Sequence, residues 1–151
     1  MAVRLVPITK DNWREAIRLK VREDQKGFVA TNVYSIAEAS FYPDQVHCRA
    51  VYDDDTMVGF VMYGYDDEDY GGYAIIRLMV DERYQGKGYG RAAMLAMIEA
   101  LKQQPDCDKI YISFEPENHA ARALYTSLGF VYDGRIVDEE EVFRLDLLSA
   151  L

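Results

Sequence analysis

Apolar positions alternate with polar ones in some stretches of this chain and recur every three or four residues in others, and the switching lays out a mixed α/β order. Arg4 to Pro7 reads as a short first strand. Asp11 then precedes Trp13, Ala16, Ile17, Leu19 and Val21, apolar at helical spacing, which predicts an N-cap at Asp11 and an amphipathic helix. A second helix is predicted over Ser35 to Phe41. Val46 to Tyr52 and Met57 to Tyr65 are rich in strand formers and flank Asp53-Asp54-Asp55, the pattern of a hairpin. Beyond an acidic loop from Asp66 to Gly72, Tyr73 to Val80 predicts another strand. Strict alternation puts Ile76, Leu78 and Val80 on one face and Ile75, Arg77 and Met79 on the other.

The second half starts with the glycine-rich segment Asp81 to Arg91, followed by Met94, Met97, Ile98 and Leu101 on one helical face. Pro105 stops that helix and Lys109 to Phe114 forms a strand. Asn118 then stands as an N-cap ahead of Ala121, Leu124, Tyr125 and Leu128, with Gly129 as the C-terminal cap. Val131 to Val137 and Val142 to Leu147 close the chain as two strands around the turn Asp138 to Glu141.

Length and composition fit one domain over residues 1–151: half of the residues are hydrophobic, enough for a sizeable core. The longest apolar run, Ala92 to Ile98, is far short of the roughly 20 residues of a membrane-spanning helix, and Arg4 interrupts any signal-like start. The expectation is a cytoplasmic protein. Cys48 and Cys107 lie far apart, with only His47 and His119 as other soft ligands, so two reduced thiols and no metal site are expected. The net charge of -9 is concentrated in Asp53–Asp55, Asp66–Asp69 and Asp138–Glu141, without which the chain would be slightly basic. Such a surface repels nucleic acid and anionic membrane and attracts small cations, although each run would equally serve as a solvated loop.

The candidate chemistry begins at Gly86, Gly88 and Gly90, which alternate between a strand and a helix. Without Cβ atoms, successive N–H groups converge there, the helix macrodipole adds partial positive charge, and Lys87 and Arg91 add full charges, a combination suited to a pyrophosphate. A Walker P-loop is excluded because Gly88 follows Lys87 where Ser or Thr is required. A dinucleotide fingerprint fits poorly: the glycines run G-x-G-x-G after several strands, with no suitably placed ribose acid.

Arg83-Tyr84-Gln85-Gly86-Lys87-Gly88 resembles the Q/R-x-x-G-x-G/A acyl-CoA signature of the GCN5-related N-acetyltransferase superfamily. Asn118, Ala121, Leu124-Tyr125 and Gly129-Phe130 match the ending usual in that superfamily, N-x-x-A-x-x-L-Y-x-x-x-G-F. The resemblance spans nearly the whole chain and looks closest to bacterial spermine/spermidine (diamine) acetyltransferases. It implies an α/β (α+β) fold with a central, mostly antiparallel twisted sheet of about six or seven strands and about four helices.

It also implies roles. Acetyl-CoA is the expected co-substrate, its pantetheine arm pairing with the backbone of Leu78, Met79 and Val80. Gln85, Gly86, Lys87, Gly88, Tyr89, Gly90 and Arg91 are expected to hold its pyrophosphate. Asn118 matches a residue that contacts the CoA arm, and a helix cap is an equally good account of it. Tyr125 matches the general acid facing the leaving sulfur. With a phenol near 10 and a thiol near 8.5, full proton transfer is uphill by ~2 kcal/mol, so hydrogen bonding to the sulfur can be the larger part of its work.

An ammonium must lose a proton before it attacks the thioester. Relatives that acetylate polyamines often carry a carboxylate for this where Ile76 stands here. Glu115, acting through a water, is the candidate in its place. Glu23 and Glu38, further candidates for the base, lie in the segment that covers the acceptor pocket in that superfamily, Phe28, Tyr34 and Tyr65 are candidates to line that pocket, and Arg77 either pairs with an acid of a neighbouring strand or serves the acceptor site. The expected reaction is direct attack of a primary amine, a polyamine or similar small cation, with no covalent enzyme intermediate and no metal. The alternatives are acetylation of a protein lysine or N-terminus, or a non-catalytic CoA-sensing module. Val142, Phe143, Leu145, Leu147 and Leu148 permit a homodimer through the last strands and would equally fill a core.

Overall fold

A computed structural model describes residues 2–147 of the chain. Seven strands form one sheet: β1 (Val3–Pro7), β2 (Val46–Asp53), β3 (Thr56–Asp66), β4 (Gly72–Val80), β5 (Lys109–Phe114), β6 (Val131–Val137) and β7 (Glu140–Asp146). Their order is β1-β2-β3-β4-β5-β7-β6, antiparallel throughout except for the parallel β4–β5 contact. Four helices flank it: α1 (Trp13–Arg18), α2 (Asn32–Ala39), α3 (Tyr89–Lys102) and α4 (His119–Ser127). The expected mixed, mostly antiparallel sheet and its four helices are thus present.

The sheet buries both faces. Against one, α3 and α4 pack Met94, Met97, Leu101, Ala121 and Tyr125 onto Val61, Ile75, Ile110, Ile112 and Phe143. Against the other, α1 and α2 bring Ala16, Leu19 and Ile36 onto Ala50, Met57, Phe60, Met62 and Met79. This is why the strands read as near-continuous apolar runs, most of all β3, in which Met57 to Gly64 are all buried.

The first two helices differ in their bounds from those expected. The cap of α1 is Asn12, not Asp11: its side chain bonds back to the Pro7 carbonyl (3.0 Å) and the Thr9 N–H (2.8 Å), tying the helix start to the end of β1. That helix also stops at Arg18, because Leu19 turns extended (φ -62°, ψ 138°) and releases Val21 toward the cleft described below. The second helix runs over Asn32–Ala39 rather than from Ser35, since the Thr31 hydroxyl accepts a hydrogen bond from the Tyr34 N–H at 3.2 Å and starts it one turn earlier.

The alternation expected of β4 is also broken. Met62 pairs with Arg77 and Tyr63 with Ile75, so Ile76 is an extra residue, a β-bulge. The bulge shifts the alternation by one. Ile75 joins Leu78 on the α3 face, while Ile76 joins Arg77 and Met79 on the α1/α2 face. Of the apolar residues of the last strand, Val142 and Phe143 are buried and Leu145 packs on the core. Leu148 lies outside the described residues.

Candidate active site

β4 and β5 are joined at one ladder position, Ala74 beside Tyr111. Beyond it they separate, and the gap opens a cleft of about 300 Å³ lined by Ile75 to Val80 of β4 and Ile112 to Phe114 of β5. Strand edges that part this way leave N–H and C=O groups without a ladder partner, able to pair with an extended ligand. The floor of the cleft leads to the start of α3, where Gly86, Gly88, Tyr89 and Gly90 line it.

The sequence builds that end of the cleft by removing side chains and caps. Gly86 (φ 77°) and Gly88 (φ 89°) both lie in the left-handed region, which an L side chain enters only with strain. Gly88 occupies the N-cap of α3 and supplies no side-chain acceptor, so the first N–H groups of the helix have no partner of that kind. The site therefore presents unpaired donors at the positive end of a 14-residue helix, the arrangement that binds phosphate.

Two carboxylates and an amide hold this turn. Asp81, 1% exposed, accepts from the Lys20 N–H (3.0 Å), the Arg83 N–H (3.0 Å) and Arg83 Nε (2.7 Å). Burial alone would push its carboxyl up; the bonds from Arg83 and Lys20 outweigh that and hold it below its ordinary value. Gln85 donates to the Val80 carbonyl (2.9 Å) and to Gln25 Oε1 (2.8 Å), closing the segment after α1 over the cleft. Tyr89 donates to Asp53, which joins the start of α3 to the β2–β3 turn. Sequence reasoning misses Asp81 and the Gln25 contact; the signal for Asp81 is an acid directly after a buried strand and ahead of an arginine.

Tyr125 lies on the wall of the cleft, 8% exposed, packed edge-on to Phe114 with ring centroids 5.3 Å apart. Burial pushes its hydroxyl up to about 12, and the charge of Glu140 adds to the effect. Asn118 also lines the cleft while its side chain accepts from the Ala121 N–H at 3.2 Å, so its capping position and its place at the site coincide.

Leu78, Met79, Val80, Gln85, Gly86, Gly88, Tyr89, Gly90, Asn118, Tyr125 and Phe28 therefore come together around one space. The other candidates stand apart from it. Lys87 lies over the Tyr84 ring, 5.9 Å from its centroid, and Arg91 donates to Ser127 Oγ at 2.9 Å. Glu115 is half-buried just past β5, and Glu23, on a short 3-10 turn, pairs with Lys26 at 2.7 Å.

Tyr34 and Glu38 gather instead around Arg77. Its guanidinium bonds Glu38 Oε1 at 2.6 Å and lies 5.5 Å from the Tyr34 ring centroid. The partner of Arg77 is thus an acid on α2, not on a neighbouring strand. Glu38 also borders a second recess of about 110 Å³, with Tyr42, Tyr65, Asp66, Asp67, Glu68 and Asp69. Ile76, the bulged residue, lines both spaces.

Comparison with known proteins agrees with this layout. Residues 10–130 match the Acetyltransferase (GNAT) family. The chain is 33% identical over 142 residues to a spermine/spermidine N(1)-acetyltransferase of Bacillus subtilis, covering 90% of this chain and 92% of that protein. An acetyltransferase from Thermus thermophilus shares the fold with a TM-score of 0.76 at 15% identity, over 97% of this chain and 98% of that one. A spermidine N-acetyltransferase from Vibrio cholerae, solved with CoA and spermine, gives 0.69 at 18% identity, over 94% and 92% of the two chains. With the parted strands and the uncapped helix already in place, the family match identifies the chain as a member of the Acetyltransferase (GNAT) family, an N-acetyltransferase that uses acetyl-CoA.

Proposed function

We propose that the acceptor is a small polyamine, such as spermine or spermidine, and that one of its primary amines attacks the thioester directly. The observation that carries the acceptor reading is the acidic recess. Glu38, Asp66, Asp67, Glu68 and Asp69 border it, Tyr42 and Tyr65 supply aromatic walls, and Ile76 joins it to the cleft. A linear amine with its reacting end in the cleft can place a second ammonium there, where negative charge and aromatic faces favour it. The relatives named for spermine and spermidine support the same reading.

The residues divide the work by position. In this reading the backbone of Leu78, Met79 and Val80, which lines the cleft, pairs with the pantetheine arm, and the amides of the Gly86 to Gly90 turn bind the pyrophosphate. Lys87 and Arg91 stand off the cleft wall and reach the phosphates by turning from Tyr84 and Ser127. Tyr125 donates to the sulfur as the carbon–sulfur bond breaks, and Asn118 bonds the CoA arm. Phe28 covers the cleft from the segment between α1 and α2, where apolar contact excludes water.

The test is turnover of purified protein with acetyl-CoA and separate acceptors, followed as free thiol. Spermine and spermidine are expected to support turnover, and lysine peptides and aminoglycosides to be much poorer. Peptide acetylation that exceeds polyamine acetylation would overturn the acceptor reading.

A further inference from the structure

The strand position from which a carboxylate could take the amine proton holds Ile76, and Glu115 is not among the residues that line the cleft, which leaves the proton without an evident route out. A chain of hydrogen bonds on the opposite wall supplies one. Ser113 of β5 lines the cleft, and its hydroxyl donates to Glu140 Oε1 at 2.8 Å. The Tyr70 hydroxyl lies 2.6 Å from the same Ser113 oxygen. A serine hydroxyl has one proton and two acceptor sites. The proton is committed to Glu140, so Tyr70 must be the donor in the second bond. One acceptor site on Ser113 is then left for a donor in the cleft.

We infer that this site receives the N–H of the acceptor ammonium, and that Ser113 passes the proton to Glu140. This rests on the polyamine acceptor reading proposed above. In the step, an ammonium N–H bond breaks, a Ser113 O–H bond forms, and the original Ser113 proton moves to the Glu140 carboxylate. The freed nitrogen lone pair then forms the bond to the acetyl carbon as the carbon–sulfur bond breaks. The nitrogen's second proton goes to the departing sulfur, giving the CoA thiol. Glu140, half-buried at the start of β7, returns its proton to water. Ser113 is the residue that touches the amine; Glu140 is a positioning residue that acts through it.

The surroundings suit the role. Burial holds the Tyr70 phenol above its ordinary value, so it stays a donor and keeps Ser113 oriented. Its ring stacks on Tyr111 at 5.7 Å, fixing it against β5. Asp66 and Asp69 add negative charge around Tyr70, and Glu140 itself acts on both Tyr70 and Tyr125. Asp138 precedes Glu140 in the β6–β7 turn and faces Asp69. Of the cations on adjoining elements, Arg122 of α4 pairs with Glu141 at 2.6 Å, and Arg135 of β6 pairs with Asp133 at 2.7 Å while its guanidinium also lies 5.3 Å from the Tyr111 ring centroid.

The test is the pH profile of kcat/KM for spermidine in the wild type, Glu140→Gln and Ser113→Ala. Glutamine keeps an oxygen for the Ser113 hydroxyl, so a purely structural tie survives in that variant. The wild type is expected to give a nearly flat profile from pH 7 to 9. Glu140→Gln is expected to be about 10² to 10³ times slower at pH 7. Its rate should then climb about tenfold per pH unit as the acceptor arrives already neutral, and Ser113→Ala should do the same. A Glu140→Gln profile that matches the wild type would overturn the relay. So would one that is uniformly lower with the same shape, since that is the mark of a structural role. A wild type inactive on spermidine would instead overturn the polyamine acceptor reading itself. Thermal melts of both variants, expected within a few degrees of the wild type, exclude misfolding as the cause of any loss.

Discussion

Replacing Tyr125 with Phe removes one hydroxyl from the cleft and keeps the ring that packs on Phe114 and Phe130, so it isolates the chemistry of the oxygen. With that hydroxyl pushed up to about 12 by burial, and a free thiol near 8.5, handing its proton to the leaving sulfur is uphill by about 5 kcal/mol. The environment therefore makes Tyr125 a poorer proton donor than an exposed tyrosine, and a better-retained hydrogen-bond donor. A hydrogen bond to a charged partner contributes about 1.5–3 kcal/mol, so Tyr125→Phe should lower kcat by about 10- to 150-fold. KM for acetyl-CoA should change little, because the bond strengthens only as charge develops on sulfur. The assay is steady-state thiol release from pH 7 to 10 with spermidine saturating. A loss below about threefold would refute the placement of the hydroxyl against the sulfur. A loss above about a thousandfold, together with disappearance of an alkaline limb from the profile, would refute hydrogen bonding in favour of full proton transfer.

Five further outcomes are expected. Asp81→Asn should destabilise the fold by about 1–3 kcal/mol at pH 7 in urea unfolding, because the Lys20 and Arg83 donors lose the charged acceptor that the buried Asp81 supplies. Asp81 has its folded value below the ordinary one, so its contribution is complete above the usual carboxylate range and is lost as pH falls through the folded value; the gap to the variant should close in acid. Gly88→Ala should cost about 1 kcal/mol of stability and weaken acetyl-CoA binding in calorimetry, since Gly88 sits at φ 89°. Gly90→Ala, whose new methyl would meet Leu124 at an ordinary 3.7 Å within the helix, should keep or raise stability, by up to about 1 kcal/mol. Glu38→Gln should cost about 1 kcal/mol, because it leaves the mostly buried Arg77 guanidinium short of its counter-charge while Glu38 itself is partly solvated. Burial pushes the Cys48 thiol to about 11 and raises the shallower Cys107 thiol without taking it so far, so Cys107 should be the first to react with an aromatic disulfide at pH 8, read by peptide mapping.

Local pattern carried the strands, α3, α4 and the glycine turn, because each rests on periodicity or a cap within a few residues. It failed where a choice depended on contacts from elsewhere. Asp11 and Asn12 are both good caps, and the decision lies in bonds from Asn12 to Thr9 and Pro7. Thr31 caps α2 from inside a polar stretch that reads as loop. Nothing in an alternating strand marks which residue is doubled, so the bulge at Ile76, and with it the exchange of faces between Ile75 and Ile76, emerged only from pairing with β3.

The site divides the same way. Gly86 to Gly90, Asn118 and Tyr125 belong to contiguous motifs and were legible. The parting of β4 from β5 was not, since it is a relation between strands separated by a helix. Nor was the chain Tyr70–Ser113–Glu140, whose members lie in an acidic loop, a strand and a hairpin turn, each unremarkable by itself. Along the sequence the acidic runs register only as net charge; in the fold, Asp66 to Asp69 form one side of a recess that opens beside Ile76.

Direct transfer to a polyamine is tested most squarely by a single-turnover experiment with enzyme in excess over acetyl-labelled acetyl-CoA, quenched with and without spermidine. Label should pass to spermidine with equal release of CoA thiol, and none should remain on the protein when spermidine is absent. Label retained on the protein without an amine, or no transfer to spermidine while a peptide amine is acetylated, would contradict the account.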